Sequence, residues 1–566
     1  MVPNALFVAC VALLAAPLGV HSLWPIPRTL STGSEGLKLA HGFAIQFQGS
    51  LSHHAPADLK AAVSRTLYQL KHDGLERLVV GRAGADTDKI AKARQLNALK
   101  VELVASASNN ILGITQNANL PIGMRDEAYT LHVPADGSPS VLSANSTLGL
   151  FRGLTTFSQL WYTSGSTIYT VEAPITIWDK PAYPYRGLML DTARNFFPKA
   201  DILRTLDAMS YVKASTFHWH IVDSQSFPLV IPEFPELSAK GAYAPDQVYT
   251  PADVQEIVAY AGARGIDVMM EIDTPGHTSA ISASYPEYVA CPDARPWASF
   301  ANEPPAGQLR LASPSVLTFV QQLITSVLKE LPGPYFSTGG DEVNLNCYKM
   351  DNITQTQLVQ HNQTFEQALD TFVQATHKPI LGAGKVPVVW EEMALNNNVT
   401  LSNDTLVMVW ISSANAKAVV DQGFQIVHAP SDYFYLDCGA GGWVGDFVAG
   451  NSWCDPFKTW QKAYSFDPLA NITSDQAHLV LGGEQLLWTE QSSPSNMDSI
   501  IWPRAAASAE VFWTGNTLPS GNATSTSEAL SRLHDLRYRL VQRGIRAIPL
   551  QPHWCALRPH ACDLTA

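Results

Sequence analysis

Charged residues are scarce in this chain of 566 residues, and basic residues are fewer than acidic ones. Asp, Glu, Lys and Arg make up 15% of the sequence, and 37 Lys and Arg against 50 Asp and Glu give a formal net charge of −13. Such a chain lacks the basic surface that neutralises nucleic-acid phosphates. After residue 20 it also lacks any apolar run long enough to cross a bilayer. We therefore expect neither a nucleic acid nor a membrane as a partner.

Several metal-binding and catalytic motifs are missing as well. There is no H-E-x-x-H of zinc hydrolases, no G-x-S-x-G turn of serine hydrolases and no C-x-x-C pair. His218 and His220 alternate along a predicted strand, so both rings face the same way and could bind a metal with Asp223. A structural or substrate-orienting role is favoured for these histidines. We predict no metal and no cofactor.

The first 22 residues are predicted to be a signal peptide. The apolar run from Ala5 to Val20 is too short and too near the terminus for a convincing membrane span, although no Lys or Arg precedes it. Asn-x-Ser/Thr sequons follow at Asn145, Asn352, Asn362, Asn398, Asn403, Asn471 and Asn522. We expect cleavage near Ser22 and a secreted, extracellular glycoprotein.

Six cysteines remain after Cys10 of the predicted signal peptide. They are Cys291, Cys347, Cys438, Cys454, Cys555 and Cys562. An oxidising compartment would pair them, and spacing alone leaves the connectivity open. Pairing of sequence neighbours (291–347, 438–454, 555–562) closes the shortest loops and is weakly favoured.

The length and the pattern of apolar residues indicate more than one folded domain. Residues 23–181 mix a helical spacing at 57–70, strand patterns at 101–107 and 129–133, and a helix at 143–161. We expect a small α/β domain there. A propeptide at its start stays open, because no processing site stands out.

Residues 182–540 alternate strand and helix patterns regularly. Strands are predicted at 185–191, 215–223, 266–273, 334–342, 386–392, 406–412, 424–430 and 478–488, and helices at 200–214, 251–265, 313–331 and 364–377. Eight such strands predict a (β/α)8 TIM barrel. A doubly wound open sheet is the alternative, but its glycine-rich phosphate turn is absent after the first strand. Residues 541–566 are predicted to be a C-terminal tail with a disulfide.

Acidic residues close six of the eight predicted strands. The strand ends carry Asp191 with Arg194, Asp223, Glu271 with Asp273, Asp341 with Glu342, Glu391 with Glu392, Trp410, and Trp488 with Glu490. Active sites of such barrels lie at the carboxyl ends of the strands. Each residue alone is explained as an ion-pair partner or core side chain, but carboxylates interleaved with Trp suit a sugar. A sugar needs hydroxyl acceptors, apolar faces to stack on and an acid for the leaving oxygen.

A resemblance to a known family rests on five sequence blocks. They are YRGLMLDTARNFFP, HWHIVDSQSFP, EIDTPGHT, GGDEVN and GGEQLLWTE, the last followed by WPRAAA. Together they resemble the β-N-acetylhexosaminidases of glycoside hydrolase family 20, and the tail RLVQRGIRAIPLQPHWC resembles its secreted fungal branch. The resemblance implies an exo-acting enzyme that removes terminal N-acetylglucosamine, and N-acetylgalactosamine, from oligosaccharides such as chitobiose. It also implies a homodimer.

The implied mechanism is retaining and uses the substrate's own 2-acetamido oxygen as nucleophile. By resemblance Glu342 is the acid/base, Asp341 holds the acetamido N–H, and Tyr435 donates to the acetamido oxygen. Adjacent carboxylates fit this division of roles, because they are poorly placed to flank a sugar from both sides. We expect a raised pKa for Glu342, so that the acid is protonated near the working pH.

The remaining site residues also come from the resemblance. Substrate binding is assigned to Arg186, Trp390, Trp410, Asp437, Trp488 and Glu490, and support of the catalytic pair to Asp223, Asp273 and His277. Arg186 would clamp the 3- and 4-hydroxyls, and Glu490 would share that recognition. The three Trp residues would wall the acetamido methyl and the sugar face, although core packing is an equally good explanation for Trp410.

Two departures from the family and two rival functions remain. Ser224 stands where many relatives have Asp, and Ser337 where many have His, which leaves the surroundings of the catalytic pair in doubt but not the pair.

An inactive sugar-binding protein on the same barrel is the main alternative. It is disfavoured because Asp341, Glu342 and Tyr435 are all present. A chitinase-like endo enzyme would need D-x-x-D-x-D-x-E, which is absent.

Overall fold

The computed structural model describes residues 22–104, 111–448 and 450–565. The predicted signal peptide, Cys10 included, therefore lies outside the described residues except for Ser22. Among the described helices, none combines the length and the apolar character that a membrane span requires.

The chain begins with a small α/β domain built on one six-stranded sheet. Its strands are β1 (Thr29–Phe47), β2 (Arg94–Leu103), β3 (Tyr129–Val133), β4 (Ser140–Ala144), β5 (Tyr162–Ser164) and β6 (Thr167–Asp179), in the order β1-β2-β4-β3-β6-β5. The long strand β1 pairs antiparallel with β6 along its first part and parallel with β2 along its last part. Strand β3 alternates buried and exposed residues, because one face of the sheet packs on the domain core.

The second domain is a closed barrel of eight parallel strands. They are β7 (Tyr185–Asp191), β8 (Thr216–Val222), β9 (Asp267–Ile272), β12 (Tyr335–Ser337), β13 (Val386–Trp390), β14 (Leu406–Val409), β15 (Gln425–His428) and β16 (Val480–Leu487). A short hairpin of β10 (Val289–Ala290) and β11 (Gln308–Leu309) lies between β9 and β12. All eight predicted strands are present, so the predicted (β/α)8 barrel with its preceding α/β domain is confirmed.

The longer helices cover the sheet and the outside of the barrel. They are α1 (Ala57–His72), α2 (Thr147–Gln159), α3 (Lys199–Tyr211), α4 (Pro251–Gly262), α5 (Pro314–Leu328), α6 (Asn352–Gln360), α7 (Phe365–Gly382), α8 (Arg504–Thr514) and α9 (Thr526–Gln542). Short helices occur at Leu51–His54, Thr87–Lys92, Ile114–Ala118, Pro235–Gly241, Leu345–Met350, Glu392–Leu395, Ala416–Val420, Ser431–Phe434, Trp460–Tyr464, Met497–Ile501 and His553–Ala556. Strands β8, β9 and β16 are buried at every position, because helices cover one side and the barrel interior the other.

Helix α2 joins the two domains. The side chain of Ser146 caps it by accepting from Gly149 N at 2.9 Å, and every residue of the helix is buried. Arg152 reaches from α2 to the barrel and donates to the carbonyls of Ala214 and Gly265. The α/β domain is thereby anchored to the loops that precede strands β8 and β9, at the amino ends of the barrel strands.

The segment from Leu23 to Ile26 belongs to this folded unit. Trp24 is fully buried, and its Nε1 donates to the carbonyl of Ala506 on α8 at 2.9 Å. A processing event after Ile26 would therefore remove part of the packed core.

Three disulfides join the cysteine neighbours in sequence. They are Cys291–Cys347, Cys438–Cys454 and Cys555–Cys562. The predicted pairing is confirmed. The last bridge lies in the C-terminal tail, and the second closes a loop that borders the cavity described next.

Candidate active site

A cavity of about 400 Å³ opens at the carboxyl ends of the barrel strands. It is lined by Arg194, His277, Asn302, Glu303, Asp341, Glu342, Trp390, Trp410, Tyr435, Asp437, Trp443, Val444, Ser452, Trp453, Trp488, Glu490 and Gln491. Nine of the twelve predicted site residues are among them. Asp223 and Asp273 lie directly beneath the cavity, in contact with His277 and with the turn that carries Asp341. Arg186 is elsewhere.

The acidic pair is placed by a sharp turn after β12. This strand ends at Ser337, and the chain turns through Gly339 (φ +62°) and Gly340 (φ +100°). A Cβ atom on Gly339 would lie 2.1 Å from Oδ1 of Asp273, so a side chain does not fit there. Gly340 N donates to the same Oδ1 at 2.8 Å. The two glycines thus let the chain pass close to Asp273 and turn Asp341 into the cavity.

Glu342 and His277 share an uncommon backbone conformation. Glu342 has φ +57° and His277 has φ +54°, in the left-handed region that non-glycine residues rarely occupy. Such strain is retained where the surrounding structure holds it, often at functional sites. Here it brings Nε2 of His277 to 3.3 Å from Oε2 of Glu342.

His277 also controls the charge of the acidic pair. Its Nδ1 lies 3.1 Å from Oδ1 of Asp223, and its Nε2 lies 3.6 Å from Oδ2 of Asp341. Burial lowers the pKa of His277, but the charges of Asp223 and Asp341 outweigh it and hold this pKa well above its ordinary value. The ring is therefore a cation at neutral pH.

The expectation of a raised pKa for Glu342 is wrong for this structure. Burial raises the pKa of Glu342, but the hydrogen bond and the charge of His277 outweigh burial, and the pKa lies below its ordinary value. The expectation rested on the role of a catalytic acid, which is protonated near the working pH, and did not include the neighbouring imidazolium.

Asp341 faces a second buried carboxyl group. Burial raises the pKa of Asp273, and the charge of Asp341 raises it further, well above its ordinary value. Burial also raises the pKa of Asp341, against the opposing charge of His277. The two groups therefore keep a shared proton to higher pH than an isolated carboxyl would. Oδ1 of Asp341 and Oδ2 of Asp273 are both buried without another hydrogen-bond partner among the described residues, as a proton shared between the two carboxyls requires.

Four aromatic side chains form the walls of the inner cavity. Trp410 stacks parallel to Tyr435 with 6.2 Å between ring centroids, and Trp390 lies 6.2 Å from Trp488. Nε1 of Trp410 donates to Glu392 at 2.8 Å, whereas Nε1 of Trp390 has no partner among the described residues. Trp410 and Trp488 are only partly buried and line the cavity, so core packing does not account for them.

Charged groups close one end of the cavity. Arg194 makes an ion pair with Asp223 at 3.0 Å and donates from Nε to Glu303 at 2.8 Å, and its guanidinium lies 5.0 Å from the Trp488 ring centre. Burial raises the pKa of Glu490 well above its ordinary value and that of Asp437 to about 7. This end can donate hydrogen bonds to a polyhydroxylated ligand and accept them from it.

Comparison with known families identifies this arrangement. The family model described as "Glycosyl hydrolase family 20, catalytic domain" matches residues 183–516, and the one described as "beta-acetyl hexosaminidase like" matches residues 23–160. This chain belongs to glycosyl hydrolase family 20.

Relatives and solved structures agree with this membership. The chain is 38% identical over 459 residues to a beta-hexosaminidase of Arthroderma benhamiae, covering 78% of this chain and 74% of that one. It is 37% identical over 449 residues to a chitooligosaccharidolytic beta-N-acetylglucosaminidase of Ostrinia furnacalis, covering 76% and 74%. The Flavobacterium johnsoniae chitobiase structure superposes with a TM-score of 0.71 at 25% identity, covering 93% of this chain and 73% of that one.

Arg186 does not occupy the substrate site of this family 20 barrel, which corrects the assignment made from the sequence. It is the second residue of β7, near the amino end of the strand, and is 1% exposed. Its guanidinium forms an ion pair with Glu127 of the α/β domain at 2.6 Å and donates to the carbonyl of Lys213. The arginine at the cavity is Arg194, three residues beyond the carboxyl end of the same strand.

The two departures from the family pattern lie beneath the cavity. The backbone N–H of Ser224 donates to Asp223 at 2.5 Å, and Ser337 hydrogen-bonds Glu271 through its hydroxyl. His218 and His220 both point into the barrel interior, as their spacing predicts, and each ring nitrogen faces a carboxylate oxygen. Carboxylate oxygens therefore face both nitrogens of each of these imidazoles.

Three groups have the spacing of a metal site among the described residues: Asp437, Cys438 and Cys454; Asp223, His277 and Glu303; and Asp273, His277 and Asp341. Both sulfurs of the first group are used in the 438–454 disulfide, and the second depends on the same cationic ring as the third. Ligand atoms of Asp273, His277 and Asp341 lie within 4.8 Å of one another. The cationic ring of His277 has no free lone pair, however, and the two carboxyls share a proton, so this group does not fit a metal.

Sequence reasoning missed the outer rim of the cavity. Asn302 and Glu303 come from the β10–β11 hairpin loop, and Trp443, Val444 and Trp453 come from the loop that the 438–454 disulfide closes. The residues of the disulfide loop could have been predicted from the many Trp and Gly residues between Cys438 and Cys454. The position of Glu303 depends on its contacts with Arg194 and Gln225, which local sequence does not reveal.

Proposed function

We propose that this family 20 enzyme removes the terminal, non-reducing N-acetylglucosamine from β-linked oligosaccharides such as chitobiose, and also accepts N-acetylgalactosamine. Membership of the family makes the chain a glycoside hydrolase of the β-N-acetylhexosaminidase class. The observation that carries the proposal is the convergence of Glu342, Asp341 and Tyr435 on one aromatic cavity. The Ostrinia furnacalis relative, named for chitooligosaccharide hydrolysis, supports this substrate class.

The proposed reaction uses the substrate acetamido group as nucleophile. Protonated Glu342 donates its proton to the glycosidic oxygen while the acetamido oxygen attacks the anomeric carbon and the bond to the leaving sugar breaks. The Asp341 carboxylate accepts the acetamido N–H, and the Tyr435 hydroxyl donates to the acetamido oxygen. A water then attacks the anomeric carbon of the oxazolinium ion and gives its proton to the Glu342 carboxylate, which releases the sugar with retained configuration.

Exo action follows from the closed end of the cavity. Arg194, Asp437 and Glu490 line the cavity together, and they would block passage beyond a sugar bound between the aromatic walls. Arg194 and Glu490 would bind its hydroxyls, the role that the sequence analysis gave to Arg186 and Glu490. An inactive sugar-binding protein is not favoured, because every group that the reaction needs faces the cavity.

The first test compares wild type with Glu342→Gln. We expect wild type to hydrolyse p-nitrophenyl N-acetyl-β-glucosaminide and N,N′-diacetylchitobiose, but not the plain p-nitrophenyl β-glucoside. Glu342→Gln should lower kcat by roughly 10²–10⁴-fold. The loss should be larger for diacetylchitobiose, because a sugar leaving group needs protonation more than p-nitrophenolate does. Turnover of the plain glucoside at the same rate would contradict acetamido assistance, and a well-folded but inactive wild type would indicate the binding protein.

We also propose that the chain is exported and N-glycosylated, with the leader cut near Ser22. In support, all seven sequon asparagines are exposed in the structure, and three disulfides are formed. Expression in a eukaryotic host should give protein in the medium whose mass falls on treatment with an N-glycosidase. Protein retained in the cells with an unchanged mass would contradict this. The homodimer implied by the resemblance stays a prediction.

A further inference from the structure

A continuous row of buried ionisable groups leads from the catalytic pair into the barrel interior. Beneath His277, Asp223 accepts from His220, whose Nε2 lies 2.6 Å from Oδ2 of the carboxylate. The row continues through four side chains that we call the axial column: His220, Glu271, His218 and Glu484. None of the four lines the cavity.

The column is held together by short contacts between strands. Nδ1 of His220 lies 2.5 Å from Oε1 of Glu271, and Nε2 of His218 lies 3.2 Å from Oε2 of the same carboxylate. Nδ1 of His218 lies 2.8 Å from Oε1 of Glu484. The column ends where the Tyr185 hydroxyl donates to Oε2 of Glu484 at 2.6 Å. Strands β8, β9 and β16 each contribute, so only the closed barrel assembles it.

Each imidazole in the column is a cation. His218 and His220 have a carboxylate oxygen at both ring nitrogens, so both nitrogens carry protons. Burial lowers the pKa of both rings, but the carboxylates raise the pKa of His218 to about 10 and that of His220 to about 9. All four column side chains are fully buried, where charges act over longer distances than in water.

Given the proposed role of Glu342, we propose that the axial column sets the pH range over which Glu342 holds its catalytic proton. The influence passes through Asp223 and His277. His218 and Glu484 are positioning residues in this scheme: they touch no substrate and act through the charge that they place beneath the site.

The charges at the cavity and directly beneath it must stay constant for this influence to be measured. They are Asp341 after β12, His277 and Asp273 after β9, Arg194 after β7, Asp223 after β8, Glu303 of the β10–β11 loop, Glu392 after β13, Asp437 after β15 and Glu490 after β16. His218 is faced by Glu271 from β9, Glu484 from β16 and the Trp390 ring from β13, at 5.7 Å. Substituting His218 or Glu484 leaves every group of the first set in place.

The sign of the effect follows from electrostatics. His218→Asn removes a buried positive charge, which raises the proton affinity of the groups above it. Glu342 then stays protonated to higher pH, and the alkaline limb of the kcat/KM profile moves upward. Glu484→Gln removes a negative charge and moves the same limb downward. We expect shifts of about 0.5 pH unit or more for each single variant, and a limb close to that of wild type for the double variant.

A matched control is available in another barrel strand. His428 on β15 is buried, and its Nε2 contacts only the carbonyl of Pro468 among the described residues. Burial lowers its pKa to about 4, so this ring is neutral at working pH. His428→Asn therefore removes a buried imidazole without removing a charge and should leave the limb unmoved.

The experiment records kcat/KM against pH with N,N′-diacetylchitobiose, whose leaving sugar must be protonated. Folding of each variant is checked by circular dichroism and thermal melting. Opposite shifts for His218→Asn and Glu484→Gln, with His428→Asn unchanged, support the inference. The inference is overturned if the alkaline limbs of both variants coincide with that of wild type, or if both limbs shift in the same direction. Should a variant fail to fold, Tyr185→Phe removes only the hydroxyl that binds Glu484, and its limb should move upward. Inactivity of the wild type would refute the proposed function and not the column alone.

Discussion

His277 connects the catalytic acid with the charges beneath it. One ring nitrogen faces Glu342 and the other faces Asp223, so a single imidazolium binds the acid and the supporting carboxylate together. The imidazolium of His277 keeps its proton, and it favours the carboxylate form of Glu342 in the free enzyme. Because the pKa of Glu342 lies below its ordinary value, the alkaline limb of activity belongs on the acidic side of neutrality.

Arg186 lies near the start of strand β7 and Arg194 lies just after its end, so substituting each of them tests which one binds the substrate. Arg194→Lys should lower kcat/KM by roughly 10²-fold, because a point charge cannot replace the planar fork that faces the cavity. Arg186→Lys should leave KM unchanged and lower the melting temperature, since it loses hydrogen bonds to Glu127 worth about 2 kcal/mol. Steady-state kinetics and thermal melting of both variants check this. A rise in KM for Arg186→Lys would restore the assignment made from the sequence.

Among the elements, the loop closed by Cys438–Cys454 shapes the outer cavity. It brings Trp453 to 5.7 Å from both Trp410 and Tyr435, edge-on to each ring. The bridge closes a separation of 16 residues, which limits the conformations that the loop must lose when substrate binds. The bridge therefore restrains the two ends of the loop, and Trp453 next to one of them, before the substrate arrives.

Removal of this bridge should weaken substrate binding. We expect Cys438→Ser/Cys454→Ser to raise KM for diacetylchitobiose about tenfold, because the free energy needed to order the loop then offsets part of the free energy of binding. The matched control is Cys555→Ser/Cys562→Ser, which opens the bridge of the C-terminal tail and touches no cavity residue. Equal KM values for the two double variants would show that the loop keeps its conformation without the bridge.

At the scale of the whole molecule, the buried charges make stability depend on pH. His218 and His220 have folded-state pKa values of about 10 and about 9, above the value of 6.5 for an exposed ring. The folded state therefore binds more protons than the unfolded state between those values, and their contribution to stability, complete below pH 6.5, is lost as pH rises through 9 to 10. Glu392, whose pKa burial and Asp341 raise to about 8, acts in the same direction.

We accordingly expect the melting temperature to fall as pH is raised from 6.5 to 9. Differential scanning fluorimetry or calorimetry across this interval measures it. His218→Asn should make the melting temperature depend less steeply on pH, because the folded state of this variant binds one extra proton fewer than that of wild type. A melting temperature that stays constant or rises over the interval would contradict the cationic column.

Most of the fold could be predicted from the sequence, because each strand and helix of the barrel has its own local pattern of apolar residues. Each strand is a short apolar run that ends on a polar residue, and those ends converge on one face whenever parallel strands close into a barrel. The same rule placed Asp341, Glu342 and Trp488 at one cavity. Strand lengths were overestimated, most at β12, because the turn through Gly339 and Gly340 continues the strand pattern in sequence but leaves the sheet in space.

By itself the sequence determined the eight-stranded barrel and the acidic pair at the fourth barrel strand, whereas it favoured the pairing of the six cysteines without deciding it. These features depend on local periodicity and on order along the chain. Only the tertiary structure decided that Arg194 and not Arg186 meets the cavity, that His277 lowers the pKa of Glu342, and that His218 and Glu484 join one buried column. The physical reason is the same in each case: these properties depend on distances between side chains from different strands, and barrel closure sets those distances.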